Sequence, residues 1–190
     1  ATGAVGGMVG QLAKAKNMRV IGVAGGADKC DYAVKELGYD ISLDHRALDA
    51  KALTQAIKDA APDGVDVYFE SVGGKTLEAV LSSMNTFGRI AVCGMISWYS
   101  GQGIADAQPL PAVWRNILTR RLLVEGFIIF DHFQKFPDFM AHVGPMVGDG
   151  RITFKEDIAD GLENAPQAFL DMLGGGNFGK QMVRVGADSA

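Results

Sequence analysis

Apolar positions recur along the chain in alternating periods. Val5, Val9, Leu12 and Ala13 fall at i, i+4, i+7 and i+8, the spacing of one helix face. Arg19–Ala24 is a short β-branched run bounded by glycine, which predicts a buried strand. Ala27–Leu37 predicts a helix stopped by Gly38, and Asp40–Leu43 a strand. The rhythm repeats with a helix through Leu53, Ile57 and Ala60 ending before Pro62, a strand at Val65–Phe69, a helix face of Leu77, Val80, Leu81 and Met84, and a strand at Arg89–Cys93. Ser97–Pro111, with two glycines and two prolines, reads as a long loop, and Leu122–Phe130 as a nearly continuous apolar strand.

From Arg151 the pattern changes. Ile152–Phe154 and Lys180–Val185 read as strands around a helix capped by Asn164, with Pro166 in its first turn and Gly174–Gly176 at its end. Strands alternating with helices predict an α/β fold, a Rossmann-like doubly wound parallel sheet. The expected division is a dinucleotide-binding domain over residues 1–150 and a C-terminal segment over 151–190 from another layer.

The glycine-rich stretch Gly3–Gly10 runs into Gln11–Lys14, and it gives this fold a chemistry. Glycines before a helix let backbone N–H groups close on a diphosphate, where the helix dipole also favours negative charge. The same glycines also suit close packing, since Gly6-x-x-x-Gly10 matches a helix-contact spacing. Such a turn normally follows a buried strand, so we expect a unit cut just after its first strand.

Composition narrows the partners. The 190 residues are 48% hydrophobic, 21% charged and 8% aromatic, enough for one substantial core, with a formal charge of −4. An acidic chain with scattered Lys and Arg offers no field to gather nucleic acid. No run reaches the roughly 18 apolar residues of a membrane span. With only Cys30 and Cys93, neither a disulfide framework nor a Cys-rich zinc motif is available, and His45, His132 and His142 lack metal-ligand spacing, so a cytoplasmic protein without a metal is expected.

At the end of the second strand the chain has the neutral Gly25-Gly26 where NAD-specific sites carry an acid for the ribose 2′-hydroxyl. That leaves room for a 2′-phosphate, to which Lys29 offers a charge; an ordinary solvated lysine is the alternative. Asp28 reads as a helix cap, Cys93 as a small buried hydrophobe, and Glu70 as a solvated or capping carboxylate. Tyr99, in the Gly94–Tyr99 segment beyond a strand end, is either a donor to a developing enolate oxygen or an exposed loop aromatic. Phe133, Phe136, Phe139 and Met140 have helical spacing and read as core or interface.

Together, A-T-G-A-V-G-G-M-V-G-Q-L-A-K, G-G-A-D-K-C, P-D-G-V-D-V-Y-F-E-S-V-G-G, F-G-R-I-A-V-C-G-M-I-S-W-Y, G-F-I-I and L-E-N-A-P-Q-A-F-L-D-M-L-G-G-G-N-F-G-K resemble the zinc-independent, NADPH-dependent medium-chain reductases. The resemblance, from Ala1 to Val185, is to the prostaglandin and leukotriene, 2-alkenal and curcumin reductase subgroup. It implies hydride transfer from NADPH to the β-carbon of an enone or alkenal, with protonation at the α-carbon.

The resemblance also implies a set of site residues. Gly3, Ala4, Val5 and Gly6 would bind the diphosphate, and Lys29, beside Gly25, the 2′-phosphate. Cys93, Gly94, Ile96, Ser97 and Tyr99 would line the adenosine-side and ribose region, with Tyr99 near the substrate oxygen as the catalytic residue. Phe127, Ile128 and Ile129 would meet the carboxamide through backbone groups, and Asn177 with Gly179 would close over the cofactor.

Two positions depart from the pattern: His45 stands where relatives have a Tyr on the 2′-phosphate, and Ser71 where they commonly have Asn. The family's N-terminal GroES-like catalytic domain is not in the sequence, and residues after about Gly150 would pack on it. A non-catalytic NADPH-binding or interaction module and a quinone reductase of the same superfamily are the alternatives. A homodimer through an edge-to-edge Leu122–Phe130 strand is a further expectation.

Overall fold

The computed structural model describes residues 1–101, 103–105 and 107–187. Gln102 and Asp106 of the expected Ser97–Pro111 loop, and residues 188–190 of the C-terminal segment, lie outside the described residues. The chain divides into two compact units, Ala1–Ser42 with Gly150–Ala190, and Leu43–Asp149.

The first unit holds helix α1 (Ala4–Ala15), strand β1 (Ile21–Ala24) and helix α2 (Ala27–Lys35), with β1 paired to β2 (Ile41–Asp44). Its C-terminal part adds β6 (Glu156–Asp160), α7 (Ala165–Leu173) and β7 (Lys180–Arg184), with β6 and β7 parallel. A small core of Val20, Ala33, Leu37 and Tyr39 fastens it.

α1 departs from the sequence reading. The helix begins at Ala4, so Gly6, Gly7 and Gly10 lie inside it, and its buried residues are Gly7, Gly10 and Gln11. Of the predicted face, Val5 is 48% exposed while Ala13 packs against the Val20–Tyr39 core, and the closest approach is made by the glycines. The reason is steric: a Cβ on Gly10 would lie 2.1 Å from the Tyr39 ring, and one on Gly7 3.4 Å from Leu37 Cδ1. These two glycines let α1 approach its neighbours closely.

Gln11 explains a second correction. Its amide donates to Gly7 O (3.0 Å) and Thr153 O (2.8 Å) and accepts from Thr153 N (2.8 Å). Thr153, at the middle of the Ile152–Phe154 run, therefore pairs its backbone with a side chain, and the strand forms later, at β6. Asn164 sits at the helix start as expected, but its Nδ2 donates back to Asp160 O (2.7 Å) instead of capping.

The second unit contains α3 (Ala50–Ala60), β3 (Val65–Glu70), α4 (Gly74–Leu81), β4 (Met84–Val92), α5 (Leu110–Arg120), β5 (Leu123–Gly126) and α6 (Phe136–Gly148). β3, β4 and β5 form a parallel sheet in that order, with Glu70 level with Val92 and Val92 level with Gly126. Leu53, Ile57, Ala79, Val80, Leu81, Met84, Ile90 and Leu122 form its core. Asp49 caps α3 by accepting from Ala52 N at 2.7 Å.

Met84 belongs to β4, not to the preceding helix. Strand pairing ends at Gly126, short of the expected Phe130, and Ile129–Lys135 turns into 3-10 helix. The expected loop reaches only to Pro109: Pro111 sits in the first turn of α5, where its missing N–H costs nothing.

Candidate functional site

In the second unit the level ends of β3, β4 and β5 bring half of the expected residues to one sheet edge. Ser71 follows β3, Cys93, Gly94, Ile96, Ser97 and Tyr99 follow β4, and Phe127, Ile128 and Ile129 follow β5. This carboxyl edge is where open parallel sheets bind ligands. The loops are laced together: Cys93 N and Gly94 N donate to Glu70 O at 2.8 and 3.2 Å, Ile96 N to Ser71 O at 3.3 Å, and Phe127 N to Val92 O at 3.4 Å. Phe127 meets Phe69 edge-on with centroids 6.2 Å apart, while Ile128 and Ile129 are exposed.

Tyr99 is 65% exposed, and its hydroxyl accepts from Met95 N at 3.2 Å, so its ring is placed rather than free. A Cβ on Gly94 would lie 2.9 Å from that oxygen, so a larger residue there would shift the Tyr99 hydroxyl. Glu70 is buried and acts as a cap: its Oε1 accepts from Val72 N and from Gly73 N (2.8 Å), and its Oε2 from Tyr68 OH (2.9 Å). Burial and the Glu70 carboxylate push the Tyr68 phenol up.

His45 lies just past β2, half-buried. Lys75 of α4 donates to His45 O (2.6 Å) and Leu48 O (2.8 Å), holding this turn. Burial, followed by the Lys75 and Arg46 charges, lowers the His45 pKa. Sequence reasoning missed Lys75; its one readable signal is a lysine just inside α4 on the glycine side.

In the first unit, Gly3 precedes α1 in an extended conformation (φ −73°, ψ 172°) with nothing within 4 Å of its Cβ position. Ala4, Val5 and Gly6 form the first turn, whose N–H groups have no acceptor within the helix, and that turn carries no acidic residue. Gly3, Ala4 and Gly179 line one cleft of about 200 Å³, together with Tyr32 and Lys155.

Lys29, in the first turn of α2 beyond Gly25, donates to Gly175 O at 2.8 Å. Asn177 Nδ2 donates to Gly179 O at 2.9 Å. Gly179 has φ +95°, and a Cβ there would meet Lys155 O at 2.1 Å. Lys155 stands 3.8 Å from the Phe178 ring centre and 5.8 Å from that of Tyr32. Neither Lys155 nor the aromatic pair was singled out from sequence, because Tyr32 lies more than 100 positions from both Lys155 and Phe178. Among the described residues no group of three or more His, Cys, Asp or Glu is arranged to hold a metal.

Similarity to known proteins runs along almost the whole chain. A family model described as zinc-binding dehydrogenase matches residues 4–144. The chain is 44% identical over 190 residues to the NADPH-dependent curcumin reductase of Escherichia coli (strain K12), covering 99% of this chain and 54% of that protein. It is 41% identical to the 2-alkenal reductase (NADP(+)-dependent) of Nicotiana tabacum, covering 97% and 52%. The crystal structure of CurA from Vibrio vulnificus in complex with NADPH superposes with a TM-score of 0.91 at 40% identity, over 99% of this chain and 56% of that one.

The chain thus spans about half the length of the curated relatives it matches. Its parallel strands with flanking helices are Rossmann-like, as in those reductases. The chain belongs to the zinc-binding dehydrogenase family of medium-chain dehydrogenases and reductases, of which it carries the C-terminal, cofactor-binding part.

Proposed function

We propose that the chain is the NADPH-binding part of a reductase of the C=C bond in α,β-unsaturated ketones and aldehydes. The observation that carries the reading is the joint presence of an open α1 N-terminus and a carboxyl sheet edge bearing the Cys93–Tyr99 and Phe127–Ile129 segments, in a chain 44% identical to a curcumin reductase. The residues fit the cofactor. The space over Gly3, the acid-free first turn of α1 and the neutral Gly25 suit a diphosphate and a 2′-phosphate, and Lys29 supplies a cation.

When bound, NADPH supplies the hydride. Gly3, Ala4, Val5 and Gly6 hold its diphosphate; Lys29 and His45 attend the 2′-phosphate. Cys93, Gly94, Ile96 and Ser97 line the ribose region, which Ser71 reaches through water. Phe127, Ile128 and Ile129 hold the carboxamide, Asn177 and Gly179 close over the cofactor, and the Tyr99 phenol donates to the oxygen that gains charge as the double bond is reduced.

Residues 151–190 pack on a GroES-like catalytic domain in the rest of the protein. β5, the edge of its sheet with Leu123 54% and Val124 41% exposed, pairs with a second copy. The free thiols Cys30 and Cys93 suit a reducing, cytoplasmic setting.

The test is steady-state turnover by the whole protein that contains this chain. It oxidises NADPH in the presence of curcumin or a 2-alkenal, and Tyr99→Phe lowers kcat. Absence of turnover with every enone and alkenal, or turnover with quinones alone, overturns the reading.

A further inference from the structure

The carboxylate of Glu70 touches none of the surfaces expected to meet a ligand, yet its contacts run toward them. Glu70 ends β3 and is 1% exposed. A buried charge at a sheet edge is costly unless its oxygens are satisfied, and here backbone and a phenol satisfy them: Oε1 takes the N–H groups of Val72 and Gly73, and Oε2 the Tyr68 hydroxyl. The carboxylate thereby fixes the turn Ser71–Gly73, in which Gly73 has φ +77°.

That turn carries the next loop. Ser71 O accepts Ile96 N at 3.3 Å; Val72 O accepts Ser97 N at 2.9 Å and Ser97 Oγ at 2.5 Å. Trp98 lies against Gly73 so closely that a Cβ there would be 2.9 Å from its ring. Tyr99 follows directly, with its hydroxyl on Met95 N.

We propose that Glu70 is a positioning residue: its carboxylate holds the Ser71–Gly73 turn, and through that turn sets the Ile96–Tyr99 segment against which the cofactor binds. The effect on the loop stands on these contacts alone; the effect on NADPH affinity rests on the proposed function. Removing the acceptor leaves two backbone N–H groups without partners and frees the Val72 carbonyl to move, loosening Ser97 and Trp98 together.

The experiment uses the full chain with Trp114→Phe, which leaves Trp98 as the one tryptophan of the two in the sequence. Trp98 emission, amide exchange at Val72, Gly73, Ile96 and Ser97, and NADPH affinity are measured for Glu70→Ala, Glu70→Gln and Tyr68→Phe. Glu70→Ala red-shifts Trp98, speeds exchange at those four amides while α3 and β4 keep their protection, and weakens NADPH roughly tenfold. Glu70→Gln keeps an oxygen for both N–H groups and restores all three readouts; Tyr68→Phe leaves the loop unchanged. If Glu70→Ala does not fold, Glu70→Asp, which retracts the carboxylate by one methylene, is read in its place with the same expectation.

The proposal is overturned if the shortened or truncated variant leaves Trp98 emission and the four amides as in the parent, or if Glu70→Gln is as impaired as Glu70→Ala. Failure of the parent chain to bind NADPH counts against the proposed function, while the emission and exchange measurements still decide the role of Glu70.

Discussion

Gly10→Ala separates the packing glycines of α1 from those suited to phosphate. The added Cβ would stand 2.1 Å from Tyr39 Cζ and Oη, so the ring must retreat by about 1.5 Å to reach an ordinary carbon contact. It has little freedom to do so. Tyr39 is 6% exposed in the core with Val20, Ala33 and Leu37, and its hydroxyl donates to Gly6 O at 2.7 Å. Burial pushes its pKa up to about 12, in keeping with a phenol that stays protonated.

Overpacking costs about 1–3 kcal/mol, and the strained Tyr39 hydrogen bond about 1 kcal/mol more. The better helix propensity of alanine returns about 1 kcal/mol. The net loss of about 1–3 kcal/mol lowers the melting temperature by roughly 2–12 °C in a chain of this size. The assay is thermal unfolding by circular dichroism beside Gly3→Ala, where the backbone suits any residue and nothing lies within 4 Å. Gly3→Ala stays within about 0.5 kcal/mol of the parent but weakens NADPH binding. A Gly10→Ala chain melting at or above the parent temperature refutes the reasoning.

Gln11→Leu keeps the volume but strips Thr153 of both its side-chain partners; it costs about 1–3 kcal/mol, with faster amide exchange at Thr153 as the site-specific sign, and unchanged exchange there contradicts the assignment. An NMR titration gives His45 a midpoint below the usual 6.5, because burial and then Lys75 disfavour its charged form. The unfolded chain therefore takes up this proton first, so the His45 contribution is intact above 6.5 and is lost as pH falls from there through the folded midpoint. Saturating NADPH shifts that midpoint upward, and no upward shift removes His45 from the phosphate site.

The repeating strands and helices were readable because β-branched runs bounded by glycine and helical apolar spacing both report burial directly. The buried part of α1 was read incompletely because glycine carries no hydrophobic signal: Gly7 and Gly10 are buried by Leu37 and Tyr39, residues beyond the end of the next helix. Ile152–Phe154 looked like a strand, and only the distant Gln11 amide reveals where its hydrogen bonds go. Cys93–Tyr99 were legible at the sheet edge because they follow a recognisable strand end, whereas Phe127–Ile129 were read inside a strand that stops at Gly126. The Lys29 contact to Gly175 and the Lys75 clasp on His45 were not, since hydrogen bonds across 146 and 30 residues leave no local pattern.

The central claim, that this part of the protein holds NADPH, is tested most directly by calorimetry of the chain with NADPH and NADH. On the proposed placement of Lys29 and the uncharged Gly25-Gly26 at the 2′-position, NADPH binds roughly tenfold more tightly or better, and Lys29→Ala erases the difference. Equal affinity for the two cofactors, or tighter binding of NADH, contradicts the account.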